Sequence, residues 1–366
     1  MRWSVKIGRL TGTEIRIHLS LLLLLLWLGI STWHQGTPVD VLIVLALVCL
    51  SFTCVLLHEL GHVLMGLRFG ITTPRIVLYP IGGVAWMKRI PREPRVELLI
   101  ALAGPMVNIF LAAIGILVIR GTILIPLRET PTSFEEFVAA LIWINLALGA
   151  FNLIPAFPMD GGRILRALLA MKFSFEKATA IAVRIGEAFG IVFAVYSIIA
   201  AQPVLFLISL FLIFSASAEG SVVKREQLLE GLAASDAAIK EFHTLKMQDT
   251  IHHAVTLVLD GSQPDFPVVN SAGQCTAIAT RNDLIRVLRD QGPNAPVSEA
   301  IRDTPAQIHA DTSATEAWRR LLESGLPGAA VVDSHGSLCQ WLTLENIEEL
   351  IQTRAATHEF LTNQQG

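Results

Sequence analysis

A polytopic α-helical membrane protein of about six spans, carrying a small re-entrant or β segment and followed by an α/β cytosolic tail, is the architecture this sequence predicts. Three observations predict it. The 366 residues are 52% hydrophobic and only 16% charged, too apolar for a soluble chain of this length. Apolar stretches of about 20 residues, the length that crosses a hydrocarbon core, recur as far as Ala218. Beyond them, residues 260–288 and 323–351 align without a gap at an offset of 63, an internal repeat.

The spans are expected at 17–34, 40–67, 96–119, 136–154, 180–200 and 203–218. The N-terminus has the charged start and apolar run of a signal peptide, but no small-residue cleavage site closes it, so it is read as a retained first helix. Lys and Arg alternate between the connections: four before the first span, none in 34–40, six in 68–95, two in 120–135, five in 163–184 and none in 200–203. By the positive-inside rule both termini are cytoplasmic. Before residue 219 there are 17 Lys/Arg against 11 Asp/Glu, and from it onward 11 against 20, so a basic membrane part precedes an acidic soluble one. Four cysteines, two of them in an apolar run, make no dense disulfide framework, which suits a cytosolic tail.

Residues 71–87, ITTPRIVLYPIGGVAWM, are apolar but broken by Pro74, Pro80, Gly82 and Gly83. A hairpin or re-entrant segment fits them better than a helix. Non-helical backbone at membrane depth persists where it is buried in protein or lines a wet cavity, so this segment is expected to border the working site; a plain interfacial loop is the other reading.

His58-Glu59-Leu60-Gly61-His62 is an HExxH pattern. On a helix it puts two imidazoles on one face, a turn apart, where both can hold one zinc ion, with the glutamate beside them as a general base. Such residues inside an apolar span are costly unless they do something. A hydrolytic zinc takes three protein ligands and leaves one position to water. Asp160 is the expected third, because Pro155, Pro158, Gly161 and Gly162 free the backbone around it from helix geometry. Depth agrees: if the second span enters near Asp40, His58 lies about 27 Å along it, and Asp160 follows the fourth span, which runs the same way. Cys54 competes as a ligand, since it stands one turn before His58.

With HELGH at 58–62, AGPMVN at 103–108 and NLIPAFPMDGG at 152–162, the chain resembles the site-2 protease family of intramembrane zinc metalloproteases over roughly residues 15–218. The resemblance implies His58, His62 and Asp160 as zinc ligands for one ion per chain, Glu59 as the catalytic glutamate, and Asn152 as an asparagine that positions substrate or the oxyanion. The expected substrates are transmembrane or membrane-tethered proteins, cut near the cytoplasmic leaflet of a plasma membrane, by resemblance a bacterial inner membrane. No nucleic-acid partner is expected. Residues 104–144 leave no room for the PDZ domain that many members carry there.

In the tail, each repeat reads as strand, turn, strand and helix, preceded by helical stretches at 251–259 and 314–324. The two copies, 241–292 and 293–354, resemble tandem CBS domains, which pair and often bind adenine nucleotides. That resemblance implies ATP or another adenine nucleotide as regulator and a homodimer or higher assembly. Thr280 and Asp283 match the ribose-phosphate contact motif; the second copy keeps Thr343 but has Asn346 in place of the acid. Residues 1–218 are thus the membrane domain, 219–240 a helical linker and 355–366 a frayed end. The competing function is a CBS-gated transporter or metal-handling protein, and Glu59→Gln separates the two.

Overall fold

The computed structural model describes residues 3–86, 92–121, 130–261, 263–302 and 304–363. Met87, at the end of the interrupted apolar segment, and the last three residues of the expected frayed end lie outside them. The chain divides into two compact units, Met1–Ser221 and Val222–Gly366.

The first unit opens with a feature the sequence reading missed. Strands β1 (Ser4–Leu10) and β2 (Thr13–His18) form an antiparallel hairpin around a Thr11-Gly12 turn, both with positive φ. β2 runs parallel to β3 (Arg75–Tyr79), which pairs antiparallel with β4 (Gly82–Trp86), giving the sheet order β1-β2-β3-β4. The expected hairpin at 71–87 is therefore half of a four-stranded sheet. β4 forms one edge of it.

Helix α1 (Leu19–Gln35) is apolar but only 17 residues long, about 26 Å at 1.5 Å per residue. Five further helices in the described residues are long and apolar enough to cross a membrane: α2 (Pro38–Arg68), α3 (Pro94–Val118), α4 (Phe134–Asn152), α6 (Phe175–Ile199) and α7 (Pro203–Leu228). A short amphipathic helix, α5 (Asp160–Ala170), intervenes. Their starts follow ordinary capping chemistry: Thr37 and Asp40 form a capping box with Pro38 at the first helical position, and Ser133 and Ser174 cap α4 and α6. These five match five of the six expected spans in place, and the shorter α1 lies where the first span was expected. The outer apolar side chains, among them Leu26, Trp27, Leu42 and Phe110, are exposed, as they are where lipid is the solvent. Leu60 and Val63 of α2 pack against Leu21 of α1 and Ile76 and Leu78 of β3. That core holds the sheet against the turn of α2 that carries the HExxH residues.

The second unit contains the two repeats. The first comprises β5 (Leu245–Lys246), α9 (Ile251–Asp260), β6 (Asp265–Val269), β7 (Cys275–Thr280), α10 (Arg281–Gln291) and β8 (Ile301–Arg302), after a short helix α8 (Ala234–Ala237). The second comprises β9 (Gln307–His309), α11 (Ala314–Ser324), β10 (Gly328–Val332), β11 (Leu338–Thr343) and α12 (Leu344–Asn363). Gly273 and Gly336 take positive φ at equivalent hairpin turns, which is why both copies keep glycine there. Cys275 and Ile278 of one copy share a core with Ala330, Val332 and Trp341 of the other. Two expectations change in detail. Residues 219–240 are not one helical connector: α7 ends at Leu228, and Leu229, Ala234 and Ala237 are core residues of the second repeat. Burial, not linker chemistry, decides their course. Likewise α12 continues through residues read as a frayed end.

Candidate metal centre

His58 and His62 lie one turn apart on α2 and are both buried. Asp160 opens α5, where a carboxylate in the first turn suits the helix dipole. Gly161 and Gly162 let that turn press on the preceding loop: a Cβ on Gly162 would lie 2.6 Å from the Phe157 nitrogen, and one on Gly161 would strike the carbonyls of Leu153 and Ile154.

The three side chains converge. His58 Nε2 is 3.2 Å from His62 Nε2, and Asp160 Oδ2 is 3.2 Å from the first and 3.1 Å from the second. Zinc bonds to nitrogen and oxygen at about 2.0–2.1 Å in tetrahedral sites, which sets neighbouring ligand atoms about 3.3 Å apart. The triangle has the edge lengths such an ion needs. No other group of metal-ligating side chains assembles among the described residues. Cys54, the competitor by spacing, accepts from Asn145 Nδ2 at 3.3 Å and stays out of the group.

What surrounds the triangle is also specific. His62 Nδ1 faces the Ile100 carbonyl of α3 at 2.7 Å, so its proton sits on Nδ1 and Nε2 is free to ligate. Gly104 of α3 makes room for both rings, since a Cβ there would lie 2.7 Å from His58 Cε1 and closer still to His62 Nε2. The Asn108 amide stands 3.2 Å from His58 Nδ1. Glu59 is half-buried and lies against β4: a Cβ on Gly83 would come within 2.6 Å of its Cγ and 3.0 Å of its Oε1. A strand edge unpaired among the described residues and a candidate general base are thus neighbours.

Asn152 ends α4 and donates to the Leu148 carbonyl one turn back at 3.0 Å. It makes no hydrogen bond to His58, His62 or Asp160. Sequence reasoning missed Asn108 and also a buried charge cluster. Arg166, two turns beyond Asp160 on α5, donates to Glu97 of α3 at 2.9 and 2.5 Å and to Glu219 of α7 at 2.7 Å. Its guanidinium stacks on Phe157 and Phe175. Glu97 within an apolar span was the available signal, but its pairing with Arg166 and Glu219 spans three helices.

In the second unit, Thr280 caps α10, accepting from the Asp283 N–H at 3.2 Å and donating to its carboxylate at 2.5 Å. Arg302 donates to the same carboxylate at 2.5 and 3.2 Å. Burial works to raise the Asp283 pKa, but the bonds from Arg302 and Thr280 outweigh it and hold the carboxyl below the usual range. Burial raises the neighbouring Asp265, which the Asp283 charge reinforces. Thr343 and Asn346 repeat the cap at 3.2 and 2.5 Å without the charge.

Both units of the chain have known relatives. Residues 45–126 and 119–193 match the profile of peptidase family M50, and residues 293–352 that of the CBS domain. A zinc metalloprotease of Methanocaldococcus jannaschii is 32% identical over 324 residues, 88% of this chain and 89% of that protein. A relative in Synechocystis sp. is 28% identical over 97% of each chain. The solved site-2 protease of Methanocaldococcus jannaschii is 34% identical, covering 60% of this chain and 95% of its own, with a TM-score of 0.45.

Proposed function

This chain belongs to peptidase family M50, and from that membership we propose that it is a zinc-dependent intramembrane endopeptidase whose cuts fall near the cytoplasmic leaflet. The observation that carries the reading is the buried His58–His62–Asp160 triangle with its 3.1–3.2 Å edges beside Glu59. His58, His62 and Asp160 would hold one zinc ion per chain. Bound there, zinc supplies a water of lowered pKa and a Lewis acid for the scissile carbonyl.

The protein's own residues do the rest. Glu59 accepts the proton of the attacking water and returns it to the leaving amine, typically worth 10²–10⁴-fold. Asn152 turns an N–H to the developing oxyanion, which requires its amide to swing from the Leu148 carbonyl that now holds it. A substrate helix hides its carbonyls in its own hydrogen bonds and has to unwind first. The outer edge of β4 offers the unwound segment a ladder to join, with Gly83 placing it against Glu59.

Both termini face the cytoplasm in this reading, in a bacterial plasma membrane, with the CBS pair as regulator. Thr280 and Asp283 are its nucleotide contacts. Arg302 now occupies the Asp283 carboxylate, so an adenine nucleotide would have to displace it; Thr343 and Asn346 offer a second, uncharged site. Pairing of CBS repeats between chains would give a dimer.

The test is incubation of the purified, zinc-loaded protein with labelled single-span peptides, with and without ATP, beside Glu59→Gln. A cut near the cytoplasmic end of the span, absent in the variant although its zinc is retained, supports the protease. Equal behaviour of the two proteins would favour a gated transporter, which has no need of the carboxylate.

A further inference from the structure

Asn108 is fully buried in α3, and its side-chain oxygen Oδ1 has no hydrogen-bond partner. A bare amide in the middle of an apolar helix is costly unless something engages it. Its other terminal atom stands 3.2 Å from Nδ1 of His58. The two terminal atoms of an amide differ in chemistry but hardly in shape, so the hydrogen-bond network decides which faces the ring. If the nitrogen faces Nδ1, the imidazole accepts there and its proton sits on Nε2, the atom that looks at His62 and Asp160. A protonated Nε2 cannot ligate. If the oxygen faces Nδ1, the ring donates from Nδ1 and Nε2 carries a lone pair into the triangle. His62 already has this arrangement, because its Nδ1 meets the Ile100 carbonyl, which can only accept.

We infer that Asn108 is a positioning residue for the metal, its side-chain oxygen accepting from His58 Nδ1 and so fixing the tautomer and ring orientation in which His58 ligates. The inference rests on the zinc reading of His58, His62 and Asp160. It gives a role to the asparagine that ends the AGPMVN stretch. Ile100, Gly104 and Asn108 follow at intervals of four along one stripe of α3, and each meets one or both imidazoles. That stripe is the wall that orients both ligands.

Zinc affinity of the full-length protein in detergent, measured by competition with a chelator, tests this without any cleavage assay. Partners that orient a ligating histidine are typically worth 10–100-fold in metal affinity. Asn108→Leu should lose that much, while Asn108→Asp, which offers Nδ1 an acceptor oxygen, should bind at least as tightly as the parent. The unfolding midpoints of the zinc-free proteins report any purely structural damage separately. Should Asn108→Leu not fold, Asn108→Ala takes its place against Asn108→Asp. Zinc bound equally well by the apolar variant and the parent, or lost equally in the apolar and Asp variants, would overturn the inference. A parent protein that binds no zinc would instead sink the metalloprotease reading.

Discussion

At Gly104 a single missing methyl decides whether two imidazoles can stand side by side. The ring atoms of His58 and His62 occupy the volume a Cβ would take, and a well-packed helix has little freedom to yield. Gly104→Ala is therefore expected to lower zinc affinity by roughly tenfold or more, from about 1–3 kcal/mol of overpacking, with the helices otherwise intact; chelator competition reads it. Asn152→Ala should leave zinc binding unchanged and lower kcat by about 10²–10³-fold, as loss of an oxyanion donor does; a comparable rise in KM with kcat preserved would assign it to substrate binding instead. At this scale the sequence was legible where spacing along one element carries the chemistry. His58 and His62 announce themselves by their interval, and Asp160 by the prolines and glycines around it. Asn108 and Gly104 do not, because what matters about them is a neighbour on another helix.

Helix α5 joins the His58–His62–Asp160 group to the bundle through Arg166. Its guanidinium and the Glu97 carboxylate are both buried, and one Glu97 oxygen has no partner, so neither charge tolerates the loss of the other. Arg166→Met should destabilise the membrane unit by about 3–5 kcal/mol, the usual result of stranding one half of a buried pair; thermal unfolding in detergent measures it. The sheet makes a different prediction. Along β4, neighbouring residues turn their N–H groups to opposite sides, so of Val84→Pro and Ala85→Pro one removes a bond to β3 and the other a donor on the free edge. Cleavage slowed by the free-edge variant with zinc retained supports strand addition by the substrate; an unaffected rate ends it. Period and interruption made the membrane helices, the β3–β4 hairpin and the repeat readable in advance. The β1–β2 hairpin escaped, although TEIRIH alternates and Thr11-Gly12 marks its turn, because the residues before the first span were read only as its charged lead-in.

Across the whole molecule, two units imply two responses. A chelator should lower the unfolding transition of Met1–Ser221, which loses its stabilising ion, and leave that of Val222–Gly366 where it was; a shift of both would mean that they unfold together. Acid should act on the second unit through Asp283. Its folded pKa lies below the unfolded value, so the stability it contributes is present above about pH 4 and is lost as pH falls through the folded pKa. Arg302 is half exposed, so the contribution is small, under about 1 kcal/mol. Arg302→Gln should thus differ from the parent most near neutrality and converge with it below about pH 4 in parallel pH titrations of stability. Asn346, at the equivalent position of the second repeat, cannot ionise.

The reach of Arg166 also bears on how the protein is made. Its partner Glu97 lies 69 residues earlier in the chain and Glu219 lies 53 residues later. While the chain is still being synthesised and threaded into the bilayer, α3 is present to receive the guanidinium, but α7 has not yet left the ribosome. The helix that begins with Asp160 therefore waits for the last membrane segment before its charges are fully matched. A nascent chain that stalls or is truncated before residue 219 carries every expected catalytic and metal-binding residue of the membrane domain and still lacks one of the bonds that hold the helix bearing Asp160.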